Sequence, residues 1–172
     1  MNILPIAIAL IALERLIELA YAARNTRALI ARGGIEAGAS HYPLFVFLHA
    51  CWLGALLVLV PWNTPPNWFW LGLMAALQGM RLWVIASLGP FWTTRIITLP
   101  NTALVRRGPY RYLKHPNYAV VIAEIAALPL AFGAWSLALV FSVLNAALIA
   151  WRIRVEDRVL DPRRGIAEPP IA

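Results

Sequence analysis

Two clusters in the C-terminal half of the chain are of residue types that do chemistry rather than fill a bilayer. The first is the run from Leu104 to Tyr118, L-V-R-R-G-P-Y-R-Y-L-K-H-P-N-Y, which sets a Gly-Pro turn, three tyrosines, several cations and one imidazole just before an apolar segment. Composition alone describes such a run as a basic and aromatic belt at a membrane interface. Its proline adds a second meaning. Pro116 biases His115 away from helix, so Asn117 and Tyr118 open the next helix with N–H groups free to receive an anion, flanked by His115 and Tyr118. The second cluster is Ser142, Asn145, Ile149, Arg152 and Glu156, spaced three and four residues apart on one face of a helix. A polar stripe on an otherwise lipid-compatible helix needs protein or water beside it. Taken alone, Arg152 and Glu156 at i, i+4 form an ordinary exposed salt bridge, which stabilises a helix only slightly.

The elements that must position these residues follow from composition. The chain has 172 residues, 61% of them hydrophobic and only 13% charged, with eight Trp. One small core cannot hold that much apolar surface, so a typical soluble enzyme is excluded and the remaining solvent is lipid. A single cysteine excludes a disulfide framework and Cys-rich zinc or iron–sulfur sites, and three histidines without H-E-x-x-H spacing argue against a zinc hydrolase, so no metal is expected. The formal net charge of +7 would suit nucleic acid, but the arginines sit at the ends of apolar runs, where they set topology instead.

Five spans are expected, at about residues 3–23, 44–60, 68–88, 118–130 and 134–153, forming one all-α integral membrane domain over residues 1–172. The first run lacks a basic leader and carries Glu14, Arg15 and Glu18, so it reads as a retained span rather than a cleaved signal. Arg24 to Pro43 reads as a loop or surface segment, and Pro61 to Asn67 as a tight turn outside the hydrocarbon. Residues 89–117 form an interfacial loop. From Tyr118 to Trp151 the only charge is Glu124, and breaks at Pro129 and Gly133 leave room for a short arm meeting a longer one, a helical hairpin. Of 15 Lys and Arg, three lie in the first loop, five in 89–117 and five from Arg152 onward. That asymmetry places the N-terminus outside and the C-terminus in the cytoplasm.

With the spans in place, the two clusters acquire a family likeness. The run R-G-P-Y-R-Y-L-K-H-P-N-Y followed by R-I-R-V-E-D-R-V-L resembles the two signatures of the isoprenylcysteine carboxyl methyltransferase family, G-x-Y-x-x-x-R-H-P-x-Y and then R-x-x-x-E-E-x-x-L. The likeness covers about residues 70 to 160, with both motifs in order at the ends of a helical hairpin. It implies an integral membrane enzyme, of the bacterial inner membrane, using S-adenosyl-L-methionine held on the cytoplasmic side, with a lipophilic or prenylated acceptor entering from membrane lipid. Carried over by position, the cofactor contacts fall on Thr102, Ala103, Leu104, Val105, Tyr110, His115, Pro116, Asn117 and Tyr118, with Glu156 closing the site. Arg152 matches the arginine implicated at the substrate, which makes Arg152 and Glu156 the catalytic pair. Thr102 stands where relatives often have His, Lys114 replaces the common Arg and Asp157 replaces the second Glu. The segment after Leu160 replaces a longer F-G-x-x-Y-x-x-Y tail, and the chain looks most like a bacterial branch linked to alkyl-resorcinol or alkyl-pyrone lipids. The implied acceptor is therefore a prenyl-cysteine carboxylate or a phenolic lipid.

Elementary chemistry agrees with a methyl donor held outside a Gly-rich turn, since no G-x-G-x-x-G occurs. Methyl transfer to an anionic oxygen annihilates two opposite charges, which a water-poor site favours. A carboxylate acceptor needs no base; a phenol or enol must lose its proton. Glu124, inside the membrane, is a substrate-site candidate by default, with a structural pair to Arg81 or Arg15 as its alternative. Glu14 and Glu18 read as packing or water-facing, Cys51 as inert, and His49 as a hydrogen-bonded core residue. Three other functions compete: a phospholipid N-methyltransferase, an NADPH-dependent membrane lipid reductase, and a non-enzymatic scaffold or transporter component. None involves nucleic acid.

Overall fold

The computed structural model describes residues 2–163, 165 and 166; of the segment after Leu160 whose composition departs from the prenyl-cysteine enzymes, Arg164 and 167–172 lie outside the described residues. Five helices carry the chain: α1 (Ile3–Ala31), α2 (Tyr42–Leu59), α3 (Trp68–Leu88), α4 (Pro116–Ala131) and α5 (Trp135–Leu160). Three helical stretches, Tyr42–Leu59, Trp68–Phe91 and Trp135–Arg163, are long and apolar enough to cross a membrane, where five spans were expected. Of the other two, α1 carries Glu14, Arg15 and Glu18 in its middle. At 16 residues, α4 reaches about 24 Å against a hydrocarbon core of about 30 Å.

The first helix does not stop at Ala23 but runs on to Ala31. Its buried residues Leu4, Ile8, Ile11, Glu18, Ala22, Asn25 and Leu29 recur every three, four or seven positions, so one stripe passes unbroken through the polar half. The polar residues after Ala23 mark where the helix meets water, not where it ends. Asn25 holds that half in place by donating from Nδ2 to the carbonyls of Gly89 at 3.1 Å and Trp92 at 2.9 Å.

The fold is also not purely helical. Strand β1 (Ile35–Ala37) pairs antiparallel with β2 (Ile96–Thr98), Glu36 opposite Ile97. Ile96, Ile97 and Thr98 suit a pleated ribbon, but their partner lies about sixty residues earlier in the chain, so no local pattern announces the pair. Arg95 ties the same two segments with bonds of 2.8 and 3.1 Å to the Glu36 carboxylate.

The hairpin of α4 and α5 turns at Gly133, whose φ of +67° only glycine adopts without strain. Its tip is stitched to the Pro-rich turn, where the Asn67 N–H donates to Ala131 O at 2.7 Å, while the Asn67 side chain caps α3 by accepting from Phe69 N and Trp70 N. At the opposite end of the bundle gather the first loop, residues 89–117 and the end of α5, joined by the strand pair and by Arg163. The basic segments therefore share one end and the uncharged turns the other.

Charges within the bundle face one another. Arg81 of α3 donates to Glu18 of α1 through Nε and through Nη2 at 2.7 Å, and to Glu124 of α4 at 3.0 Å. Arg15 reaches Glu18 at 3.1 Å, Glu124 and Gln78 at 3.3 Å each, and Glu14 at 3.5 Å. Glu124, only 3% exposed, is thus paired with both Arg81 and Arg15. The outer face of α1, with Leu10, Leu13, Leu16 and Ile17 exposed, is apolar and suited to lipid.

Candidate functional site

The stripe predicted on α5 points inward. Asn145, Ile149 and Arg152 are buried, and Glu156 lies half-buried one turn beyond. Across from it α4 begins as its sequence requires: His115 is the cap residue in a non-helical conformation, and Pro116 occupies the first turn. The preceding Gly108–Arg111 turn is pressed against α3. A Cβ on Gly108 would stand 2.1 Å from Ser87 Oγ, and Arg107 Nε donates to Ser87 O at 2.9 Å. These contacts fix where His115 can be.

Tyr118 then joins the two clusters. Its hydroxyl donates to the Glu156 carboxylate and accepts from Arg152 Nε at 2.8 Å, so Arg152 and Glu156 meet through a phenol rather than as a simple i, i+4 pair. Arg152 also donates from Nη2 to Thr94 O at 2.8 Å and lies over the Phe45 ring at 5.3 Å. His115 stacks on Tyr118 with centroids 5.3 Å apart, its Nε2 3.2 Å from Asp157 Oδ1 and its Nδ1 4.0 Å from Glu156. Tyr110 sits nearby with its phenol held above the ordinary range, first by burial and then by the Glu156 charge.

Two cavities meet here. One, of about 190 Å³, lies at the basic end and is walled by Ala103, Leu104, Val105, Tyr110, His115, Asn117, Tyr118, Arg152 and Glu156. The other, of about 380 Å³, is walled mainly by apolar faces of α1 and α2; Leu16 and Val46 at its wall are also exposed on the outside of the bundle, so it opens toward lipid. Trp92, Thr93, Asn117, Tyr118 and Arg152 line both. Asn117 Oδ1 is buried there without a hydrogen-bond partner among the described residues. An unpartnered buried acceptor at a cavity wall is what a ligand donor would satisfy.

Eight of the residues singled out in the sequence are therefore brought together around the smaller cavity, with Arg152 as a ninth. Thr102 and Pro116 are adjacent but do not line it, and Glu124 lies in the ion cluster, lining neither cavity. Arg163 was not anticipated. It lines the cavity and fastens the 102–105 wall, donating to Thr102 O at 2.7 Å, Ala103 O at 3.3 Å and Thr98 Oγ1 at 3.3 Å. A basic residue just after the last helix was the available signal. Trp92, Thr93 and Thr94 were also missed, because their backbone position rather than their side-chain type matters.

The isoprenylcysteine carboxyl methyltransferase family model matches residues 70–162. The uncharacterised protein YpbQ of Bacillus subtilis is 40% identical over 157 residues, covering 89% of this chain and 94% of that protein. An uncharacterised protein of Haemophilus influenzae is 29% identical over 166 residues, covering 93% of this chain and 96% of its own. No solved structure matches. With both signature regions inside the matched span and packed face to face at the end of the hairpin, this membrane protein belongs to the isoprenylcysteine carboxyl methyltransferase family, a family of methyltransferases.

Proposed function

We propose that the chain, as one domain over residues 1–172, is an S-adenosyl-L-methionine-dependent O-methyltransferase for a lipophilic acceptor, with the cofactor in the smaller cavity and the acceptor's tail in the larger. The observation that carries this reading is that the two cavities share the wall containing Tyr118 and Arg152, so that two ligands of opposite character meet at one polar point. The donor set of the smaller cavity fits the cofactor: aromatic rings for the adenine and the sulfonium, His115 and the α4 start for its carboxylate, Asn117 Oδ1 and Glu156 as acceptors for amino and hydroxyl groups. When bound, the cofactor supplies a methyl group on a positively charged sulfur.

The chain's own part is positioning and exclusion of water. Arg152, held by Tyr118, Thr94 O and the Phe45 ring, presents a guanidinium that stays protonated and can hold an acceptor oxygen beside the shared wall. Tyr118 keeps that guanidinium and the Glu156 carboxylate at a set spacing, which confines the reacting ends to one geometry. The acceptor is a prenyl-cysteine carboxylate or a phenolic alkyl-resorcinol or alkyl-pyrone lipid; the breadth and apolar wall of the larger cavity support a lipid of either kind. We place this protein in the bacterial inner membrane with α1 and α4 crossing as the first and fourth of five spans, the N-terminus outside and the basic end cytoplasmic.

Calorimetry with S-adenosyl-L-methionine and with NADPH on detergent-purified protein tests the reading. Binding of the first alone is expected, weakened by roughly 1–3 kcal/mol in His115→Ala and in Glu156→Ala. Preferential binding of NADPH, or unchanged affinity in both variants, overturns it. Cysteine labelling at Asn2 and at Gly165 in right-side-out vesicles should modify only the former.

A further inference from the structure

One polar group on the wall of the larger cavity has no part in the arrangement above. His49 of α2 lies one helical turn beyond Phe45, the ring on which Arg152 rests, so it faces the same cavity about a turn deeper into the membrane. Its Nδ1 is 2.8 Å from the carbonyl of Phe45. A carbonyl only accepts, so Nδ1 carries the hydrogen and Nε2 of the neutral ring carries the lone pair. Among the described residues Nε2 has no hydrogen-bond partner. The ring is further fixed edge-on to Trp52, with centroids 6.2 Å apart. The hydrogen bond expected of His49 as a core residue is present. Its consequence is an imidazole of set tautomer on the wall of a mainly apolar chamber.

The charges around that nitrogen are ordered. From α1 the cavity is faced by Arg15 and Glu18, from α3 by Arg81, from α4 by Tyr118 and from α5 by Arg152. Glu124 of α4 and Glu14 of α1 complete the ion cluster behind them. That cluster holds three carboxylates and two guanidiniums, so with all its members ionised its formal charge is −1. An imidazolium at His49 would stand near both signs of charge in this cluster.

We propose that His49 is a proton acceptor for a hydroxyl-bearing acceptor lipid seated in the larger cavity, its Nε2 removing the proton as the oxygen is methylated. This rests on the methyltransferase reading above and narrows its acceptor to a hydroxyl group. In the step, the acceptor O–H bond breaks and its proton moves to the Nε2 lone pair, directly or through one water. The oxygen's electron pair forms the new bond to the methyl carbon, and the pair of the broken carbon–sulfur bond stays on sulfur. The positive charge carried in on sulfur is thereby exchanged for one on the imidazolium, beside the ion cluster. Arg152 holds the oxygen and His49 takes the proton, a division of labour that a carboxylate acceptor would not require.

The test begins without the cofactor. A long-chain alkyl nitrophenol, whose ionised form absorbs visible light, is titrated into wild type and His49→Gln at a pH about one unit below its own pKa, where roughly a tenth is ionised in solution. Wild type should raise the ionised fraction of bound probe several-fold and His49→Gln should not; an equal rise in both variants means Arg152 alone ionises it and overturns the proposal. Methyl transfer from labelled cofactor is then followed to an alkyl-resorcinol and to a farnesyl-cysteine. His49→Gln should lose roughly 100-fold on the resorcinol at neutral pH, recover as alkali ionises it, and change less than about threefold in cofactor affinity. Loss on both acceptors alike marks a structural role and overturns the proposal, as does transfer by wild type to the carboxylate only. Should His49→Gln not fold, the wild-type solvent deuterium isotope effect decides: about twofold or more on the resorcinol supports proton removal, and none overturns it. Failure of wild type to bind the cofactor would instead bring down the underlying reading, while the nitrophenol titration would still report on His49.

Discussion

The molecule contains two buried polar networks, and they are built to different ends. In the interior, Arg15, Glu18, Arg81 and Glu124 satisfy one another across α1, α3 and α4, with Gln78 and Glu14 at the margin. At the meeting of the two cavities, Tyr118, Arg152, Glu156, His115 and Asp157 also touch, but Asn117 Oδ1 is left buried without a partner among the described residues and both cavities open onto the group. The first network is closed among its charges and holds helices together, although Gln78 Nε2 at its margin is buried without a partner among the described residues and Arg15, Glu18 and Arg81 line one side of the larger cavity. The second is incomplete, and a polar network in a low-dielectric site that is left incomplete is poised for a ligand rather than for stability. Intramembrane carboxylates are functional candidates by default, and Glu124 is one on which two guanidiniums are already spent.

The largest effect should come from opening the closed network. Arg81→Met removes one partner of both Glu18 and Glu124 and leaves buried carboxylates uncompensated, so unfolding in detergent should show a loss of about 3–5 kcal/mol. A loss below about 1 kcal/mol would mean the cluster is wet and the contrast with the cavity network is wrong.

In the open network the effect should fall on turnover instead. Arg152→Lys keeps the charge but loses the fork that bonds Tyr118 and Thr94 O, so methyl transfer should drop by roughly 10- to 1000-fold with cofactor affinity nearly unchanged. Turnover within a factor of two of wild type would make Arg152 a mere spacer for Tyr118.

A smaller change separates the wall of the site from its reacting centre. Arg163→Ala frees the carbonyls of Thr102 and Ala103, and calorimetry should show cofactor binding weakened by about 1 kcal/mol while turnover at saturation holds. Equal loss in both quantities would place Arg163 at the chemistry.

The least effect is expected at the surface. Arg95 and Glu36 are partly exposed, 41% and 25% by side chain, so Glu36→Gln should cost under about 1 kcal/mol of thermal stability and little activity. A larger loss would show that the strand pair of β1 and β2, not the bundle, sets the position of the 89–117 segment.

What could be read from the sequence was whatever is decided within a turn or two of the chain. Pro116 imposes the start of α4, Pro129 and Gly133 its short length and the hairpin, and the three- and four-residue spacing from Ser142 to Glu156 the inward stripe on α5, because each acts through local backbone geometry or periodicity. The end of α1 was misjudged because a change from apolar to polar residues reports a change of solvent, and Arg24 to Ala31 stay helical on either side of it. Tertiary structure alone decided which charges close on one another, since Glu18, Arg81 and Glu124 are far apart in the chain and any of them could have met another partner. It also decided the β1–β2 pairing, the clamp of Arg163 on the 102–105 wall and the place of His49 on the wall of the larger cavity. Each of these is a contact between distant segments, and its energy depends on where the packed helices bring the second partner, a distance that no single stretch of sequence encodes.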